Sequence, residues 1–238
     1  MGLFDKLGNP KITTPQERRV KTLERLRKQK IAVNEHLPLL PSGEMVKVKS
    51  MEEVKKRALA SMISIQLACS IRNDEDYAKS LAGAGQMMDA WDVSIDDFLP
   101  RERVLIQNKY TQKGNTDELS KQGVIDIIWS YETYYSLIWS LDLIGGKELM
   151  DASNTCNTVR AISIAQMIND IASKLVNTEK ILDMSDLFYC YYWACAEKKI
   201  RPETAAGKLN PEVVAERRRG LEWIVSEEKD WNKISLNI

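Results

Sequence analysis

The chain has 238 residues, in which 34 Lys and Arg are balanced by 34 Asp and Glu, and it contains one histidine. A formal net charge of zero excludes whole-chain attraction to nucleic acid or to an anionic membrane surface, and a lone histidine excludes most histidine-dependent catalysis and metal binding. The 44% hydrophobic and 29% charged composition is that of a globular chain long enough to bury a core without a disulfide or metal staple.

Residues 1–13 read as a flexible tail. Lys6 stands where a myristoylation signal carries Ser or Thr, and Leu3-Phe4 is too short for a secretory core. Thr14-Pro15-Gln16-Glu17 then supplies an N-cap, a proline at the first helical position and the glutamate of a capping box, predicting a helix to about residue 30. Residues 31–49 carry Pro38, Pro41 and Gly43 and read as an irregular connection, with at most a short strand over 45–48. Ser50-Met51-Glu52-Glu53 is a second capping box, opening a helix through Val54, Ala58, Met62, Ile65 and Cys69.

Helical spacing continues over 74–91, where Gly83-Ala84-Gly85 reads as a place of close helix packing. A turn follows at Ser94-Ile95-Asp96-Asp97, and Pro100 begins a further helix to about Tyr110. A break at Lys113-Gly114-Asn115 precedes a long apolar helix, expected from about Asp117 to a glycine cap at Gly145-Gly146. Asp126, Glu132 and Asp142 lie within its apolar run, each costing ~2.5–3.5 kcal/mol near a bilayer centre, so it reads as a buried core helix and no membrane partner is expected. Residues 154–176 form an amphipathic helix, Asp183-Met184-Ser185-Asp186 opens an aromatic-rich one, and Asn210-Pro211-Glu212 caps the last. The expectation is a single all-α domain over 14–238, with eight or nine helices around the central apolar one.

The ordered series of these landmarks resembles a largely bacterial family, domain of unknown function 4272. Its N-terminal part is carried by Thr14-Pro15-Gln16-Glu17-Arg18-Arg19, Leu37-Pro38 and the run from Ser50 to Ala58. Tyr131-Glu132, Leu137-Ile138-Trp139-Ser140-Leu141, residues 179–187 and Trp193-Ala194 resemble its central signatures, and residues 213–218, Leu221-Glu222-Trp223 and Trp231 its closing one. The resemblance implies an uncharacterised helical domain and assigns no catalytic residue. Arg218 stands where the family often has histidine, and Asn232-Lys233 where it usually has acidic residues. Any metal or acid–base chemistry the family carried at those positions would be lost here.

The four cysteines, Cys69, Cys156, Cys190 and Cys195, form no C-x-x-C pair and read as reduced, buried thiols of a cytoplasmic protein. His36 reads as a loop residue. Phosphate-binding, esterase and zinc-protease motifs are missing, so neither cofactor nor metal is implied. Polar residues set in apolar helices are the candidate chemistry: Glu132, Asp186, Arg57, Arg217 and Glu216, beside a cleft of Tyr131, Tyr135, Trp139 and Trp193. They read either as internal ion pairs that fix helix register, or as an acid and a base in a ligand or substrate pocket.

Charge offers a third clue. Residues 1–30 hold nine Lys and Arg against three acids, a local +6, and residues 73–99 hold seven acids against Lys79, a local −6. Asp89, Asp92, Asp96 and Asp97 are therefore the expected surface for a protein partner, as in a toxin-neutralising immunity protein or an adaptor. An enzyme, a small-ligand binder and an oligomerising subunit are the alternatives. Nucleic acid is not an expected partner, because the basic helix lacks interleaved aromatics.

Overall fold

Reciprocal capping bonds set the starts of the first two long helices. The Thr14 hydroxyl accepts the Glu17 N–H while the Glu17 carboxylate accepts the Thr14 N–H, and Ser50 and Glu53 repeat the arrangement. The computed structural model describes residues 13–107 and 119–238. The tail through residue 12, the break at 113–115 and the helix start near Asp117 lie outside them. The α-helices are α1 (Pro15–Lys28), α2 (Met51–Arg72), α3 (Tyr77–Trp91), α4 (Pro100–Ile106), α5 (Lys121–Ser140), α6 (Gly146–Met150), α7 (Thr158–Ile171), α8 (Thr178–Ile200) and α9 (Pro211–Ile224). Single 3-10 turns lie at Gly43–Met45, Ile95–Asp97 and Trp231–Lys233, and there is no sheet among the described residues. The fold is all-α, as the periodicity predicts.

Helix α5 is the centre. It packs between α2 and α9; α3, α4 and α7 lie against α2, and α8 joins α9 to α1. From Ser130 to Ser140 every residue of α5 is buried, as is every residue of α2 from Arg57 to Ile65. Helices covered on all sides have no solvent face, which is why neither shows a clean apolar stripe. Small residues let them approach. A Cβ on Gly220 of α9 would sit 2.8 Å from both the Thr133 carbonyl oxygen and the Ser136 Cβ of α5. The Ser136 hydroxyl donates across the same seam to the Arg217 carbonyl at 2.9 Å.

Several expectations need correction. Residues 45–48 form no strand: Met45 ends a 3-10 turn and is 78% exposed, and no strand among the described residues pairs with Val46 and Val48. The end of α5 is not capped by Gly145-Gly146. Asp142 takes the left-handed conformation (φ 62°), its N–H donating to Trp139 and that of Leu143 to Ile138, a Schellman cap built on aspartate. Gly145 instead precedes α6. Helix α8 starts at Thr178 under the Asn177 side chain, so Asp183 to Asp186 lie inside it rather than opening it. Helix α7 is shorter than predicted, and α4 ends at Ile106. Gly83 and Gly85 have nothing within 4 Å of a built Cβ, so close packing does not explain them. No described helix is long and apolar enough to cross a membrane.

Candidate functional site

Arg18, Arg19, Arg57, Arg217 and Arg218 are each at most 4% exposed. A buried guanidinium is tolerable only when its donors are filled and its charge is matched. Here each meets a carboxylate on a helix and at least one backbone carbonyl oxygen, although Nε of Arg18 and of Arg57 makes no hydrogen bond. Arg217 of α9 reaches Glu132 of α5 through Nε at 2.9 Å and Nη2 at 2.8 Å, while its Nη1 donates to the Leu149 and Asp151 carbonyls, both at 2.7 Å. The other Glu132 oxygen accepts the Cys156 N–H at 2.6 Å. Arg19 of α1 holds Asp186 of α8 at 2.8 Å and donates to the carbonyls of Leu37 and Pro38. Arg57 of α2 holds Glu102 of α4 at 2.6 Å, donates to the Asp97 carbonyl and lies 4.7 Å from the Trp231 ring. Arg18 spans Glu179, Asp183 and the Pro41 carbonyl. Arg218 holds Glu222 and the Asn237 carbonyl, with the rings of Tyr189 and Tyr192 each at 4.7 Å.

Of the polar residues singled out in the sequence, only Glu132 and Arg217 are brought together. Asp186 belongs to Arg19 and Arg57 to Glu102, while Glu216 bonds Thr133 and Arg219. The expected single constellation is therefore several separate clamps. Of its aromatics, Tyr131 and Tyr135 lie beside the Glu132–Arg217 pair, whereas Trp139 and Trp193 do not. Tyr131 accepts from Gln66; Tyr135 bonds Glu148 beneath the Arg217 guanidinium; Trp139 borders a different depression beside Gly145; and Trp193 is half-buried on α8. Sequence reasoning missed Arg18, Arg19 and Glu102. Arg19, Leu23 and Leu26 fall at i, i+4 and i+7, so the apolar stripe of α1 itself marks Arg19 as inward-facing. The excess positive charge near the N-terminus is accordingly in part internal, facing the acids of α8 and not the acidic stretch of α3.

The thiols are chemically quiet. Burial pushes Cys190 up to about 12, Cys195 to about 11 and Cys156 higher still, so all three stay protonated at neutral pH. His36 lies exposed in its loop, its backbone N–H on the Asn34 side chain. No group of three potential ligands that could hold a metal occurs among the described residues.

Beside the Arg57 clamp runs an open groove of about 910 Å³, bounded by the first turns of α2, the Ile95–Asp97 turn and the segment after α9. Lys49, Lys56, Asp96, Asp97 and Lys233 are among its charged walls. The Asp96 side chain in its wall is 88% exposed, with Arg103 at 3.9 Å, and that of Asp92, held by Lys56 at 2.7 Å, is 98% exposed. Asp97 is committed to capping Ser94, whereas Asp89 is exposed on the last turn of α3.

These features define an all-α protein whose buried charges are organised as arginine clamps between helices and loops, with an open charged groove on one side. The chain belongs to the family described as Domain of unknown function (DUF4272), whose model matches residues 18–234. No curated protein and no solved structure matches it.

Proposed function

We propose that this chain is a protein-binding module whose contact surface is the acidic stretch of Asp89, Asp92 and Asp96, the last of them in the wall of the charged groove. The observation that carries this reading is the exposure of Asp92 and Asp96, against the burial and full pairing of Asp186, Glu132 and Glu102. The two exposed acids each have one basic neighbour, Lys56 for Asp92 and Arg103 for Asp96, yet exposed carboxylates on one short stretch still attract a basic partner face and speed its encounter. A toxin neutralised by this chain, or the client of an adaptor, would present such a face. The alternative, an enzyme or small-ligand binder using these residues as one cluster, is the less favoured reading, because Glu132 with Arg217, Asp186 with Arg19 and Arg57 with Glu102 are three separate ion pairs.

The test compares the chain with an Asp89→Lys/Asp92→Lys/Asp96→Lys variant, leaving the capping Asp97 intact. Partners are crosslinked in the producing cells, identified, purified and measured for association rate. Reversal is expected to slow association by about tenfold or more at low salt, with little effect at high salt. Undiminished association by the variant would remove the acidic stretch as the contact. Light scattering on the purified chain separates a foreign partner from self-association.

A further inference from the structure

Away from the acidic stretch, α5, the C-terminal end of α2 and the start of α7 enclose a cavity of about 370 Å³. Its walls are largely apolar, with Ile125, Trp129 and Tyr131 supplied by α5. Its one carboxylate, Glu132, is charge-matched by Arg217 and has both oxygens bonded, so the floor presents no net charge. The Cys156 thiol beside it is neutral and buried. The single unmatched charge is at the edge: Arg72, on the last turn of α2, is exposed and has no ion-pair partner among the described residues.

Small-molecule sites pair an apolar cavity of roughly this size with a few polar groups that orient the ligand. Here the orienting group is one guanidinium, whose fork matches a carboxylate. A cation would be repelled by Arg72, and a dianion would leave its second charge without a partner. We propose that this cavity binds a compact monocarboxylate, its apolar body against Trp129 and Tyr131 and its carboxylate on Arg72. The site is separate from the acidic stretch and stands or falls independently of it.

Calorimetric titration of the full chain with phenylacetate, 2-phenylethanol and benzylamine tests this. Phenylacetate is expected to bind one to one with a dissociation constant on the order of 1 mM, as a ligand of ten heavy atoms allows. The neutral alcohol is expected to bind about tenfold more weakly, and the amine more weakly again. Arg72→Gln, an exposed change that leaves the core untouched, is expected to bring phenylacetate down to the affinity of the alcohol and leave the alcohol unchanged. Arg72→Lys should restore part of the difference. The proposal is overturned if phenylacetate fails to saturate, if the alcohol or amine binds as well as the acid, or if Arg72→Gln leaves the preference for the acid intact.

Discussion

Arg217 and Glu132 satisfy one another across the α5–α9 seam, and the donors that Arg217 has left hold the Leu149 and Asp151 carbonyls. One side chain thereby joins two helices to the last turn of α6 and the residue that follows it. Removing it strands a carboxylate that is 1% exposed, together with the carbonyls at the end of α6. Arg217→Ala is expected to destabilise the fold by about 3–5 kcal/mol, read from the urea midpoint. A loss under about 1 kcal/mol would mean the pair is far more hydrated than its burial indicates.

Glycines on α3 and α9 should respond in opposite directions to the same substitution. Gly220→Ala drives a methyl group to 2.8 Å from a backbone carbonyl oxygen of α5, which cannot rotate away, and is expected to cost about 1–3 kcal/mol. Gly83→Ala and Gly85→Ala add a methyl group in open space and remove backbone freedom from the unfolded chain, so each should stabilise by about 0.5–1 kcal/mol. Thermal melts of the three single variants check the sign.

Stability should fall in alkali. The folded chain keeps protons on Cys190 and Cys195 up to about 12 and 11, because burial penalises the thiolate. Unfolded thiols release theirs near about 8.5. This contribution is fully present below that value and is lost as pH rises through the folded values. Tyr131, also raised to about 12 by burial, acts in the same direction from the ordinary phenol value upward. The urea midpoint is expected to be level from pH 7 to 8 and lower by about 2 M or more at pH 11. The double variant Cys190→Ala/Cys195→Ala should show a shallower decline.

Lys30 sits just past α1 with φ 58°, a conformation that disfavours any residue with a Cβ. Its N–H donates to the Arg27 carbonyl, a bond that glycine retains. Lys30→Gly is therefore expected to stabilise by about 0.5–1 kcal/mol in chemical denaturation.

The helical class and most helix starts were legible because they depend on local chemistry. Thr14 with Glu17, and Ser50 with Glu53, act within one turn and can be read directly from the chain. What failed depended on distant partners. Gly145-Gly146 offers a cap, but the chain reverses at Asp142, where helix packing ends the apolar run two residues after Ser140. The polar residues of the core were identifiable as unusual, since a charge among apolar neighbours needs compensation wherever it lies. Their pairing was not identifiable: Arg19 and Asp186 are separated by 167 positions, and no spacing rule links them. The exposure of Asp92 and Asp96 likewise follows from where the α3–α4 connection crosses the surface, not from its composition.

That separation also governs how the molecule comes into being. Helix α1 carries two arginines whose acidic partners, Glu179, Asp183 and Asp186, all lie on α8. At translation rates of about 5–20 residues per second, roughly 10 to 30 seconds pass between the emergence of Arg19 and that of Asp186. Throughout that interval the two arginines lack their carboxylate partners, and of the contacts described only those to the carbonyls of Leu37, Pro38 and Pro41 are already made. The bundle can condense around α2 and α5 during synthesis, but α1, made before both, is among the last of the described helices to dock.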